Sequence, residues 1–235
     1  MSAAKRLILI PADKGGTGKS TVARGLLEWY QRQDRRVTAV DSDKRNAQLY
    51  RYYHATVPVQ RLDATTPQGL DVVFNHLAEA TERVVLGTPA QFGDVLERLT
   101  QELPLGEILD TLTARITVVF VLARVKDSIQ ALKSALATLR GLPVDWVIVK
   151  HGHFGKAEEF ARYDGSKTRE DVRQAGGIEL YLPDLQDLIY DRLDAENLPF
   201  SGVPAAAGWK FMEKQRVQAW LKQWLSELDP ASAVL

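Results

Sequence analysis

Short apolar runs alternate along the chain with longer segments in which apolar residues recur every three or four positions. Runs such as LILI (7–10) and ITVVFVLA (116–123) are almost continuously apolar, whereas 21–33 and 127–140 have helical spacing. Continuously apolar strands are typical of a parallel sheet covered on both faces, because both sides of each strand are then buried. The pattern therefore predicts an α/β fold with a mostly parallel sheet flanked by helices on both faces.

The same pattern places the individual elements. It predicts strands at 6–11, 36–42, 57–63, 83–88, 116–123, 146–151 and 178–183. It predicts helices at 21–33, 67–80, 91–103 and 127–140, with further helices after the last strand. We interpret 152–177, which is rich in glycine and charge, as a surface excursion. Residues 1–235 are expected to form a single nucleotide-binding domain with an amphipathic C-terminal helix at about 206–228.

A glycine-rich turn, GGTGKST at 15–21, joins the first predicted strand to the first predicted helix. Glycines in such a turn let backbone N–H groups face phosphate oxygens, and the following helix directs the positive end of its dipole at the same anions. Lys19 is expected to reach the β- and γ-phosphates, and the Ser20 hydroxyl to ligate magnesium. The predicted nucleotide-binding residues here are Lys14, Gly15, Gly16, Thr17, Gly18, Lys19, Ser20 and Thr21. An ordinary glycine-rich turn is the alternative, which the combination of strand, glycines, Lys-Ser and helix disfavours.

The segment KGGTGKST at 14–21 resembles the deviant Walker A box of the MinD/ParA group of P-loop ATPases. Asp13 or Lys14 stands where the ordinary motif has its first glycine. The resemblance implies a P-loop NTPase fold of the SIMIBI class, with ATP (or ADP) and Mg²⁺ as cofactors. In that family the early lysine reaches the ATP of the partner subunit, which implies a catalytic role for Lys14 and an ATP-dependent homodimer. A solvated lysine at the start of a loop is the alternative.

Two carboxylates end the second predicted strand, in VTAVDSDKRNAQL at 37–49. The carboxyl ends of parallel strands border the crevice in which α/β folds bind ligands. The segment resembles the family's D-x-D-x-x-N motif, here Asp41, Asp43 and Asn46. The resemblance implies that Asp41 helps to hold magnesium and that Asp43 orients the attacking water. A surface turn is the alternative for an isolated D-x-D.

Two departures and one further match concern the rest of the site. RVVLGTP (83–89) has Gly87 where the family has a magnesium-associated aspartate, which puts hydrolysis in doubt. WVIVKHGHFG (146–155) offers Lys150 or His151 where the family has an adenine-reading asparagine. YLPDL (181–185) resembles the family's loop beside adenine, which implies base contacts for Pro183 and Asp184. The His151–His153 pair is interpreted as part of a loop rather than a metal site.

Two further segments resemble one branch of the family. The stretch WVIVKHGHFG (146–155) and FMEKQRVQAWL (211–221) are similar to plasmid conjugation and stability ATPases of the TraL, MobD and StbB type. This implies a protein partner in plasmid or conjugation machinery, while ParA-like partition remains open. The C-terminal helix carries Val217, Trp220, Leu221, Trp224 and Leu228 on one stripe. Packing on the sheet is favoured over reversible membrane contact through 209–228, because the polar face is not uniformly basic.

Composition narrows these expectations. Thirty basic and thirty acidic side chains give a formal net charge of zero, which argues against non-specific coating of nucleic acid and leaves direct DNA contact without support. There is no cysteine, so thiolate metal sites are excluded. We expect a cytoplasmic protein, with peripheral attachment at the membrane or the nucleoid as the additional locations that the resemblance allows.

Two functions of different kinds follow. The first is a weak ATPase that acts as a slow dimeric switch in plasmid conjugation, stability or partition. Lys14, Lys19 and Asp43 are the residues expected to catalyse its ATP hydrolysis. The second is a degenerate nucleotide-binding scaffold with little or no hydrolysis, which Gly87 favours. A small-molecule kinase on the same fold is disfavoured, because it leaves Lys14 without a role.

Overall fold

The computed structural model describes residues 4–11, 15–44, 46–79, 82–89 and 92–235. Within these ranges, seven parallel strands form one sheet in the order β3-β2-β4-β1-β5-β6-β7. The strands are β1 (Lys5–Ile10), β2 (Thr38–Asp41), β3 (Val59–Arg61), β4 (Arg83–Gly87), β5 (Ala114–Leu122), β6 (Val144–His151) and β7 (Ile178–Leu182). Each of the predicted strands is present, with ends that differ by at most two residues.

The strand order reverses beside β1. The chain runs from β1 outward to β2 and β3, returns to β4, and continues on the other side of β1 through β5, β6 and β7. Loops that leave the carboxyl ends of β1 and of its neighbours therefore diverge to opposite sides of the sheet and leave a crevice between them. Such a crevice is where open α/β sheets bind their ligands.

Ten α-helices are assigned in the described part of the chain. They are α1 (Lys19–Arg32), α2 (Gln48–Tyr53), α3 (Pro67–Ala78), α4 (Gly93–Glu102), α5 (Leu105–Thr111), α6 (Lys126–Thr138), α7 (Ala161–Asp164), α8 (Lys167–Gln174), α9 (Asp187–Glu196) and α10 (Phe211–Leu228). The short helices α2 and α5 lie in segments for which the sequence predicted no helix. None of the described helices is long and apolar enough to cross a membrane.

Successive residues of the central strand β1 enter different cores. Ile8 and Ile10 pack with α1, α2, α9 and α10, whereas Leu7 and Leu9 pack with α3 to α8 on the opposite face. This alternation is the geometric consequence of a pleated strand whose two faces are both covered. It explains why the apolar runs in the sequence are continuous, and it confirms the predicted fold class.

Helix α10 packs its apolar stripe into the first of these cores. Val217, Trp220, Trp224 and Leu228 are all buried, while Leu221, predicted on the same stripe, is only partly buried. The helix begins at Phe211, where the carboxylate of Glu213 accepts a hydrogen bond of 2.8 Å from the backbone N–H of Lys210. In this conformation the stripe is occupied by protein contacts and is not presented to a membrane.

The interpretation of 152–177 as a surface excursion is wrong for its central part. That part forms α7 and α8, and Phe160, Tyr163 and Val172 are almost completely buried in the second core. The glycines and charged residues that suggested a surface segment flank these three buried residues in the sequence. Because α8 has one strongly buried apolar residue in eight, its helical pattern is too weak to see in the sequence.

Candidate functional site

A cleft of about 480 Å³ opens at the carboxyl ends of the central strands. It lies at the strand-order reversal beside β1, between the loop that precedes α1 and the loops that follow β2, β6 and β7. The described residues predicted for phosphate, metal, water or base contacts all line it, namely Gly15, Gly16, Thr17, Gly18, Lys19, Ser20, Thr21, Asp41, Asp43, Pro183 and Asp184. Lys14 and its predicted role lie outside the described residues.

The turn before α1 depends on glycine at two positions. Gly16 has φ +77° and Gly18 has φ +88°, a left-handed conformation that side chains other than glycine adopt only with strain. A Cβ on Gly16 would meet no atom within 4 Å, so the cradle is open on that side. Gly18 directly precedes α1 and cannot cap it with a side chain, so the first N–H groups of the helix remain suited to an anion.

Lys19 begins α1 and faces the same cleft as Asp43. Burial lowers the pKa of Lys19, and the nearby Asp43 carboxylate acts in the opposite direction. A partly desolvated ammonium group gains more from a bound anion than a fully hydrated one, because less water must be displaced. The pair places one positive and one negative group at the phosphate end of the cleft.

Asp41 organises the loop after β2. One carboxylate oxygen accepts the backbone N–H of Asp43 at 3.1 Å and the other accepts that of Tyr50 at 3.0 Å. Burial raises the pKa of Asp41, and these backbone hydrogen bonds oppose the rise. A third backbone N–H, that of Leu49, also donates to this carboxylate, which leaves one of its four lone pairs to accept from a metal-bound water.

Gly87, at the end of β4, also lines the cleft. A Cβ at this position would lie 2.8 Å from Cδ1 of Leu49 and 3.5 Å from the carbonyl oxygen of Val40. The close neighbour is thus the movable end of a side chain rather than backbone. The next residue, Thr88, donates a hydrogen bond of 2.8 Å to the carbonyl oxygen of Ile10 and so ties β4 to the end of β1.

His151 ends β6 and packs on the phosphate-binding turn. A Cβ on Gly18 would lie 2.1 Å from Cδ2 and 2.2 Å from Nε2 of this ring, so Gly18 is required for the contact as well as for its φ angle. Burial lowers the pKa of His151 to about 4, with a smaller contribution from His153. Nδ1 accepts the backbone N–H of His153 at 3.1 Å, so the neutral ring carries its proton on Nε2.

Of the two residues that the sequence offered at the adenine position, His151 lines the cleft and Lys150 does not. Lys150 points to the opposite face of the sheet, where its Nζ donates to Asp164 at 2.6 Å and lies 3.9 Å from Glu179. His151 lines the cleft with His153 and Phe154, and ring centroids in this group are 5.4 to 6.2 Å apart. His151 is the last residue of β6 rather than a loop residue, as the predicted strand 146–151 implied, whereas His153 lies in the turn that follows.

The far end of the cleft is formed by the loop after β7 and by α9. Asp184, Asp187 and Asp191 line it, as do Tyr190 and Trp220. The Tyr190 and Thr21 hydroxyl groups are 2.9 Å apart, which connects α9 to α1. Among the described residues there is no group of three His, Cys, Asp or Glu side chains that could hold a metal ion by themselves.

Residues 8–162 match the CobQ/CobB/MinD/ParA nucleotide binding domain, which is about two thirds of the chain. The chain belongs to this family. The match ends before the loop that carries Pro183 and Asp184 and before α10. The phosphate end of the cleft thus lies within the family match, whereas its far end is contributed mainly by residues beyond the match.

Known proteins agree with this assignment. Protein MobD of Acidithiobacillus ferrooxidans is 26% identical over 198 residues, which cover 84% of this chain and 86% of that protein. The septum site-determining protein MinD of Pyrococcus horikoshii, solved with Mg-ADP, has a TM-score of 0.53 at 17% identity and covers 98% of both chains. A nucleotide-binding protein of Archaeoglobus fulgidus, solved with ADP, has a TM-score of 0.51 at 16% identity, with 81% of this chain and 86% of that chain covered. At these identities the two structures support the fold alone.

Sequence reasoning missed three contributors to the cleft. Tyr190 gives no signal, because it is a single aromatic residue without a motif, and Phe154 was noted only as part of the WVIVKHGHFG stretch, without a role in the cleft. Trp220 was predicted only as part of an apolar stripe. Its spacing of four residues from Trp224 correctly indicated a shared face of α10, but the position of that face beside the cleft depends on the tertiary fold.

Proposed function

We propose that this chain binds ATP with magnesium and acts as a slow nucleotide-dependent switch of the MinD/ParA type. The observation that carries the proposal is the convergence of the two left-handed glycines, Lys19, Ser20 and the Asp41–Asp43 pair on one cleft. Backbone donors and a lysine supply the contacts that a polyphosphate requires. The hydroxyl and carboxylate groups beside them supply oxygen ligands of the kind that Mg²⁺ prefers.

The charge distribution along the cleft supports the orientation of the nucleotide. Lys19 and the start of α1 form the end suited to phosphates. At the other end, Asp184, Asp187 and Asp191 offer only acceptors when ionised. Ribose hydroxyls and base amino groups are donors, so the sugar and the base fit the acidic end. His151 lies against Gly18 at the phosphate end, and the proton on its Nε2 adds one donor to the donors of that end.

Magnesium would be held by few protein atoms. Ser20 is the candidate direct ligand, and Asp41 the candidate acceptor for a metal-bound water. Two protein groups at most are typical of Mg²⁺ sites, in which substrate phosphates and water complete the shell. The bound ion supplies charge neutralisation for phosphoryl transfer.

For hydrolysis we propose that Asp43 holds the attacking water, with Lys19 on the γ-phosphate. Gly87 provides no carboxylate at the end of β4, so we expect turnover well below the roughly 1–100 per second of kinases. The alternative function, a nucleotide-binding scaffold with little or no hydrolysis, is favoured by this single position. Both functions share the same bound nucleotide and differ in turnover.

The switch would operate through dimerisation. We infer from the sequence of the 14–21 segment that Lys14 reaches the nucleotide of a second copy, so that a homodimer forms when ATP is bound. The relative named MobD supports a role with a protein partner in plasmid conjugation, stability or partition. The cytoplasm is the proposed location; attachment to membrane or DNA has no supporting contact in the described residues.

Calorimetry with ATP and Mg²⁺ tests the binding. Lys19→Ala should weaken ATP binding about 100-fold, since a charge-assisted contact to the phosphates is lost. Lys167→Ala is the matched control, because Lys167 lies on α8 away from the cleft and pairs with Asp171 at 3.0 Å. Equal ATP affinity for the parent protein and Lys19→Ala would refute the site.

A further inference from the structure

The indole ring of Trp220 reaches the cleft from α10, outside the part of the chain that matches the family. The side chain is buried, and its Nε1 donates a hydrogen bond of 2.7 Å to the carbonyl oxygen of Pro183. Its ring packs against Phe200 at a centroid distance of 4.7 Å. Trp220 is therefore fixed on one side by the core and on the other by the loop that carries Asp184.

That hydrogen bond joins a helix to a loop. Residues 183–186 connect the end of β7 to the start of α9 and belong to neither element. Pro183 has no backbone N–H, so its carbonyl oxygen is the polar backbone atom by which this residue can be held. A buried carbonyl that loses its donor is costly, which makes the indole N–H an effective restraint on the loop.

The same face of α10 also contacts the helix of the phosphate-binding turn. Trp224, one turn after Trp220, lies over α1 so closely that a Cβ on Gly25 would be 2.0 Å from its Nε1. Residues i and i+4 of a helix lie on one face, so both indoles act from the same side of α10. Helix α10 thus contacts the phosphate half of the cleft through α1 and the far half through Pro183.

We propose that Trp220 is a positioning residue that holds the Pro183–Asp184 loop against the base of the bound nucleotide and thereby determines base discrimination. The inference rests on the proposed nucleotide-binding function. Discrimination between bases requires acceptors and donors at defined positions, because an unpaired polar group in the wrong complex is what rejects the wrong base. A loop released from α10 offers the same groups without a defined position and so discriminates less.

The test compares ATP with CTP, both with saturating Mg²⁺, by calorimetry. Trp220→Phe keeps an aromatic ring against Phe200 and removes only the N–H donor and part of the ring. We expect the ratio of ATP affinity to CTP affinity to fall about five-fold, the effect of losing one ordinary hydrogen bond. A purely structural role would weaken both nucleotides equally and leave the ratio unchanged.

Trp209→Phe is the matched control. Trp209 is also buried, and its Nε1 donates a hydrogen bond of 2.8 Å to Glu196, but it does not line the cleft. The affinity ratio of this variant should equal that of the parent protein. An unchanged ratio in Trp220→Phe, an equal fall in both variants, or a parent protein that binds ATP and CTP equally would overturn the inference. A parent protein that binds neither nucleotide would instead refute the proposed function.

If Trp220→Phe does not fold, the parent protein itself provides the measurement. The chain has five tryptophans, so 5-fluorotryptophan labelling gives five ¹⁹F resonances, which phenylalanine substitutions at the other four positions assign. The Trp220 resonance should shift further with ATP than with CTP. Equal shifts with the two nucleotides would overturn the inference.

Discussion

At the scale of single residues, the site combines groups whose protonation is set by burial. His151 is 8% exposed and carries a pKa of about 4, because the buried ring is poorly solvated when charged. Burial also lowers the pKa of Lys19 and raises that of Asp41, and both changes favour the neutral form of the side chain. A bound nucleotide would favour the charged form of Lys19, and a bound metal ion would favour the charged form of Asp41, because each side chain would then face an opposite charge.

The pKa of His151 predicts a dependence of stability on pH. An unfolded histidine titrates near 6.5, so between pH 6.5 and 4 the unfolded chain binds a proton that the folded protein does not. The contribution of His151 to the free energy of unfolding is therefore complete above about pH 6.5 and is lost as the pH falls toward 4. The difference amounts to about 3 kcal/mol.

Urea denaturation at pH 7 and at pH 4.5 measures this effect. His151→Asn should lose less stability between the two pH values than the parent protein, by roughly 2–3 kcal/mol. His153→Asn is the control, since the side chain of His153 is 55% exposed. The same loss for the parent and for His151→Asn would show that other groups cause the acid sensitivity.

A second residue-scale prediction concerns Gly87. Gly87→Asp would place a carboxylate at the end of β4, with the methyl group of Leu49 as the nearest obstacle. A side-chain methyl group can move by rotation, so we expect the variant to fold and to bind Mg²⁺ in the presence of ATP about 10-fold more tightly. Gly87→Asn, with the same size and no charge, is the control. An equal magnesium dependence of Gly87→Asp and Gly87→Asn would contradict the proposed position of the metal.

At the scale of elements, α1 and α10 form the support of the cleft. Gly25 of α1 allows Trp224 of α10 to approach, and Trp220 then reaches Pro183. Because these two indoles are one helical turn apart, α10 contacts both α1 and the loop after β7. The contact explains why the apolar stripe of α10 is buried, and it links an element outside the family match to the phosphate-binding helix.

Gly25→Ala tests this support. Alanine is favoured over glycine inside a helix by about 0.5–1 kcal/mol, but overpacking a core costs about 1–3 kcal/mol. Because the clash involves a fully buried tryptophan, overpacking should dominate and the free energy of unfolding should fall by about 1–2 kcal/mol. Gly93→Ala in α4 is the control, since a Cβ there meets nothing within 4 Å. No loss of stability in Gly25→Ala would show that α10 can shift freely against α1.

At the scale of the whole molecule, the proposed switch is a change between monomer and dimer. The net charge of zero means that long-range repulsion between two copies is small, so specific contacts govern association. The nucleotide supplies such contacts only if a residue of one copy reaches the phosphates of the other. The sequence motif assigns that role to Lys14.

Lys14→Ala should therefore weaken ATP-dependent dimerisation and leave ATP binding by the monomer nearly intact. Light scattering with a slowly hydrolysed ATP analogue measures the mass of the parent protein and of the variant, and Lys167→Ala is the control. Without nucleotide, all three proteins should be monomers. A Lys14→Ala variant that dimerises as well as the parent would eliminate the role across the interface.

Much of the fold and of the phosphate end of the cleft was determined by local sequence. Continuous apolar runs identified the central strands β1, β4, β5 and β6, because nearly all positions of a strand that is buried on both faces are apolar. The roles of Gly16 and Gly18 could also be predicted, because they depend on residues that are adjacent in the sequence. Their φ angles, the following lysine and the start of α1 are properties of neighbouring residues, which a contiguous motif records.

Only the tertiary structure decided which residues from distant parts of the chain contact one another. Lys150 and His151 are adjacent in sequence, yet the pleat of β6 sends one side chain to Asp164 and the other to Gly18, so the choice depends on which face of the sheet is which. Trp220 reaches Pro183 across 37 positions of the chain. Burial of Phe160 and Tyr163 likewise depends on α6 and the sheet beneath them. Such contacts are set by strand order and helix packing, which act between residues that are distant in the sequence and leave no pattern within it.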